Sequence, residues 1–155
     1  MAEQRWVFVI KAQDKPGAMA AAASVFSTRG VSLDTILGGQ MTGTGTDGGR
    51  IVLSFRATQR KQDMLLRVVE RLSAVLKVDC YPYSSSELRA IAIVQVSAST
   101  DTDWKVSNVQ TEIISISNDS QRILLTGSTS AVEQIVEMLH EQNALLDVAM
   151  SVMAV

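Results

Sequence analysis

The sequence predicts an α+β fold: two ferredoxin-like βαββαβ domains in tandem, the second with its first helix shortened or missing. Three observations carry this expectation. β-branched apolar runs alternate with stretches of helical period in the order β-α-β-β-α-β. A polar hinge, SSSE at 84–87, is followed by a second series of the same kind, which places the domains at residues 1–86 and 87–155. RIVLSF is echoed by RILLTG, and LLRVVERL by VEQIVEML, as in a weak internal repeat.

In the first domain RWVFVIKA (5–12) is rich in β-branched and aromatic residues and reads as a strand. Pro16 suits the first turn of a helix, where its missing N–H costs nothing, and the alanines at 20–23 carry that helix to a stop at Gly30. VSLDTIL (31–37) is a second strand, and RIVLSFRA (50–57) a third with Ile51, Leu53, Phe55 and Ala57 on one face. From Gln62 to Leu76 the residues Leu65, Val68, Leu72, Val75 and Leu76 repeat at helical spacing. VDCYPY closes the unit as a strand, with Pro82 at an edge or at the strand's end.

In the second domain RAIAIVQV is a strand, and TEIISIS and RILLTG form a hairpin about NDSQ. Ser130 and Glu133 have capping-box spacing at the start of AVEQIVEMLHEQ, and ALLDVAMSVM ends the chain as a strand. The segment 97–110 has no clean helical period, so the first helix is expected to be lost or shortened there. Trp104 either covers the sheet in place of that helix or meets a partner.

A chain of 155 residues, 46% hydrophobic, can bury a core in one domain or in two small ones. A net charge of −2 gives no positive footprint for nucleic acid or an anionic membrane. The start Met-Ala-Glu-Gln-Arg and the lack of a long apolar run predict a cytoplasmic protein. Cys80 and His140 are the only residues of their kinds, which leaves no zinc cluster and no base near a serine nucleophile. Asp101 and Asp103 form a solvated loop or a weak cation site. GTGTDG at 43–48 matches the dinucleotide-binding glycine pattern, but the next element is a strand, whereas pyrophosphate binding needs a helix N-terminus; the stretch is slack between strands or a lid.

The segment DKPGAMAAAASVFSTRGVSLDTI resembles the opening of an ACT domain: an Asp/Asn-x-Pro-Gly turn, a helix ending at Arg-Gly, and a strand beginning Asn-Ile. LLRVVERLSAVLKV, RAIAIVQV, IISISNDSQRILLTG and SAVEQIVEML continue the likeness, so that nearly the whole chain resembles the small regulatory subunits of acetohydroxyacid synthase (acetolactate synthase). The resemblance makes the first domain an ACT domain. It implies a non-catalytic homodimer that binds and activates a catalytic large subunit and senses a branched-chain amino acid such as valine. Thiamine diphosphate, magnesium and FAD would belong to that partner, with no cofactor in this chain.

The implied effector site comprises Asp14, Lys15, Pro16, Gly17, Ala18 and Met19 at the turn, completed by Ser32 and Leu33 across a dimer interface. A helix N-terminus favours a carboxylate, glycine permits close approach, and Asp14 or a backbone carbonyl could take an ammonium group. From the residues alone, Pro16-Gly17 is equally a plain helix start. Ser32 stands where the family usually has Asn, which leaves the effector's identity open. The alternatives are a free-standing amino-acid sensor or adaptor for another enzyme and, more remotely, an enzyme.

Overall fold

The computed structural model describes residues 2–41 and 48–155, and of Met41 the backbone only. They divide into two compact units, one reaching Glu87 and including Ala154–Val155, the other Leu88–Met153.

The first unit has the order β1 (Gln4–Gln13), α1 (Ala18–Ser27), β2 (Leu33–Met41), β3 (Gly48–Ala57), α2 (Gln59–Glu70) and β4 (Val75–Pro82). Its sheet is antiparallel throughout, in the order β2-β3-β1-β4. Trp6, Phe8, Ile10 and Ala12 alternate onto one face of β1 and share a core with Phe26 of α1 and Leu65 and Val69 of α2, so both helices cover that face. At its centre Phe8 and Phe26 have ring centroids 5.9 Å apart, and Phe55 lies 4.8 Å from Phe8 and 4.9 Å from Phe26. Trp6 satisfies its indole by donating to the Ala57 carbonyl at 3.0 Å. Pro82 is the last residue of the edge strand β4, where a missing N–H interrupts no ladder.

The second helix is shorter than its apolar spacing predicts. Thr58 caps it by accepting from the Lys61 amide, and it ends at Glu70. Arg71 and Leu72 then donate to the carbonyls of Val68 and Val69, a tightened last turn, and Val75 and Leu76 belong to β4. Leu72, Val75 and Leu76 keep a helical spacing because a turn followed by a strand happens to repeat it, and Leu76 is 61% exposed.

The second unit comprises β5 (Arg89–Ser97), β6 (Val109–Ile116), β7 (Ser120–Gly127), α3 (Thr129–Glu141) and β8 (Leu145–Met153), with sheet order β6-β7-β5-β8. This repeats the first unit's order with the first helix absent: residues 98–108 join β5 to β6 without one. Trp104 and Val106 from that connection pack, partly buried, on the core of the unit where the first unit has its helix. They do not reach all of the edge strand, and Ile113 and Ile116 of β6 stay 52% and 67% exposed.

The cap of α3 lies two residues before the predicted one. The Ser128 hydroxyl, not Ser130, accepts the Ala131 amide at 3.3 Å. Ser128, Thr129 and Ser130 all offer a capping hydroxyl; burial of Thr129 and Ala131 fixes the register that starts the helix earlier.

Candidate functional site

Pro16 lies outside the helix, contrary to the expectation that it opens the first turn. Ala18 donates to the Lys15 carbonyl at 3.2 Å, closing a four-residue turn with Pro16 and Gly17 at its centre. Gly17 has φ 83 and ψ −4, the left-handed third position of a type II turn, whose second position favours proline. The Pro-Gly pair therefore makes a reversal in front of α1, and Gly17 occupies its cap position without a side chain. An added Cβ there would meet nothing within 4 Å, so glycine is required by the backbone angle, and the space above it is open.

Ala21 donates to the Gly17 carbonyl at 2.8 Å, which starts the helical ladder. Met19 and Ala20 have no acceptor within the helix, as in any first turn, and no acidic side chain offsets the positive end. At the other end Arg29 donates to the Val25 carbonyl at 3.2 Å, and Gly30, left-handed at φ 69, stops the run as expected.

Beside the turn lies a cleft of about 210 Å³, with Asp14, Lys15, Ala18 and Met19 on its helix side and Gly38, Gly49 and Ile51 on its strand side. Asp14 and Lys15 are exposed at its rim. Ser32 and Leu33 are elsewhere: they border a broader concavity of about 720 Å³ with Ala20, Ala23, Ser24 and Ser27 of α1. The ten residues of α1 separate the two places, about 15 Å at the helical rise. One chain thus brings six of the eight predicted residues together and leaves Ser32 and Leu33 at the far end of the helix.

Gly38, Gly49 and Ile51 were not among the expected site residues. The glycine-rich stretch reads as slack in sequence, yet Gly38 pairs with Ile51 and Gln40 with Gly49 in the β2–β3 ladder. The two flanking Gly-Gly pairs were the available signal. Of the predicted dinucleotide-like motif, residues 43–47 lie outside the described residues, and Gly48 opens the strand β3.

Asp101 accepts the Asp103 amide at 3.0 Å in a local turn. His140 lies in the last turn of α3, with no serine hydroxyl bonded to it among the described residues. Cys80 is half-buried, and burial first, then the charge of Asp63, pushes its thiol up to about 12. The folded state therefore holds the proton more tightly than the unfolded chain. The stabilisation is full below the ordinary thiol value of 9.0 and is lost as pH rises toward 12. Iodoacetamide at pH 8 should label the unfolded chain readily and the native chain at least tenfold more slowly; equal rates would show an accessible thiolate.

Together the two four-stranded antiparallel sheets and the helices packed on them define the class: an α+β protein of two ferredoxin-like units in tandem, the second without the first helix. By sequence the chain is similar to acetolactate synthase small subunits. It is 24% identical over 143 residues to the acetolactate synthase small subunit of Mycolicibacterium smegmatis, covering 90% of this chain and 82% of that one. The small subunit of Mycobacterium avium is likewise 24% identical over 143 residues, covering 90% and 84%. The crystal structure of the acetolactate synthase small subunit from Thermotoga maritima superposes with a TM-score of 0.70 over 98% of each chain at 21% identity, which establishes the shared fold. No family model matches the sequence. Among the described residues no helix is long and apolar enough to cross a membrane.

Proposed function

We propose that the chain is the non-catalytic regulatory subunit of an acetolactate synthase, acting in the cytoplasm. It binds and activates a thiamine-diphosphate-dependent catalytic subunit and lets a branched-chain amino acid such as valine damp that activity. The observation that carries the sensing role is the Pro16-Gly17 turn, which presents the first-turn amides of α1 beside an apolar-floored cleft. A ligand carboxylate takes the amides of Met19 and Ala20, Asp14 or a backbone carbonyl takes the ammonium group, and the side chain turns toward Ile51.

Ser32 and Leu33 enter this reading through a second copy. Two chains packed antiparallel along α1 and β2 place the turn of one against the start of β2 of the other. The edge strand β2 and the small residues on the outer face of α1 leave that side open to close approach. Thiamine diphosphate, magnesium and FAD belong to the catalytic subunit in this proposal.

Co-expression with an acetolactate synthase catalytic subunit tests it. The two chains should copurify, the small chain should run as a dimer in light scattering, and acetolactate formation should rise on its addition and fall again with valine. A monomeric chain that neither copurifies nor changes the rate would reject the assignment. Amino-acid binding without copurification would favour a free-standing sensor, which the turn supports equally well.

A further inference from the structure

Gly38 sits inside strand β2, where glycine is unfavourable, and its φ is not in the left-handed region, so no backbone requirement accounts for it. An added Cβ at Gly38 would overlap the Cε of Met19. The same construction at Gly39 meets nothing, and at Gly49 only ordinary contacts. Gly38 is thus a seat for one side chain. Met19 belongs to the first turn of α1, is 41% exposed and adds little to the core, yet its thioether end rests across the cleft on the strand beneath.

We propose that Met19, seated on Gly38, sets the side-chain selectivity of the cleft and confines it to short branched aliphatic amino acids. The proposal rests on the amino-acid-sensing reading above and adds to it the wall against which the ligand's side chain is measured. An unbranched, polarizable methionine follows the outline of a small aliphatic group and can be pushed aside by a longer one only by leaving its seat. Discrimination at an apolar wall is modest per methylene, roughly tenfold or somewhat more, which is the size of effect to look for.

Calorimetric titration of valine, isoleucine, leucine and phenylalanine into the full-length chain tests this with four proteins: the parent, Met19→Ala, Gly38→Ala and the double variant. The parent should prefer valine. Met19→Ala, benign in a helix, should move the leucine-to-valine affinity ratio toward leucine by roughly tenfold. Gly38→Ala should push the thioether into the ligand's space and weaken valine, and adding Met19→Ala should remove most of that loss, because nothing remains for the new methyl to strike. An unchanged ratio in Met19→Ala, or additive losses in the double variant, overturns the selectivity role while sensing stands. A parent that binds none of the four amino acids overturns the sensing reading and this proposal with it.

Discussion

Gly17→Asp should abolish amino-acid binding while leaving the chain folded. The substituted carboxylate would stand beside the first-turn amides where the ligand's own carboxylate is held, and two like charges about 4 Å apart repel by a few kcal/mol at a partly screened site. Affinity should fall on the order of 100-fold or more. The cost to folding is distinct and smaller. Gly17 is left-handed at φ 83, which an aspartate tolerates at about 1 kcal/mol, and the side chain points into open space. Because the residue is in that conformation, the aspartate gains no ordinary cap bond either, which requires an extended backbone. Gly17→Ala supplies the control: it carries the backbone strain without the charge and should retain most binding. Equal binding by the parent and Gly17→Asp would reduce the turn to a helix start.

Phe26→Ala should carry the largest stability loss in the first unit. Phe26 is fully buried between Phe8 and Phe55, and the only other buried residues of α1 are Ala22 and Val25. Removing the ring leaves a cavity and forfeits the chief anchor of that helix, a loss of about 3–5 kcal/mol. That is a large share of the 5–15 kcal/mol typical of a whole domain. The two tryptophans separate the readouts, since Trp6 belongs to the first core cluster and Trp104 packs on the second. Urea titration followed at Trp6, in a Trp104→Phe background, should show the midpoint drop, and Phe26→Leu should recover much of it. A loss below about 1 kcal/mol would mean that α1 is anchored by something other than its phenylalanine.

The fold was legible because its signals are local and periodic. Alternation places Ile51, Leu53, Phe55 and Ala57 on one face without any structure, and the echo of RIVLSF in RILLTG marks the corresponding central strand of each sheet. Element ends were less legible. Three consecutive hydroxyl residues at 128–130 offer competing caps, and Leu72, Val75 and Leu76 fit a helix as well as a turn into a strand. The site divides in the same way. Pro16-Gly17 announces a turn chemically, although its position ahead of α1 rather than within it depends on the left-handed φ of Gly17. Gly38 and Gly49 could not be assigned because their meaning lies in what crosses them: the cleft needs the β2–β3 register and the reach of Met19, both products of tertiary packing. Ser32 and Leu33 belong with the turn only if a second chain supplies them, a relation between molecules that the order of residues within one cannot express.

The connection at 98–108 has a consequence for counting. The second unit repeats the sheet of the first in strand order but passes from β5 to β6 without a helix, so it has no counterpart of α1, and its one helix, α3, starts at a serine that already accepts the Ala131 amide. The strand order is repeated, whereas the glycine turn and the helix behind it are not. On the sensing reading a chain takes up one equivalent of effector and a pair of chains two. The halves of a single chain then cannot respond cooperatively to each other, and any sigmoid response must arise between chains.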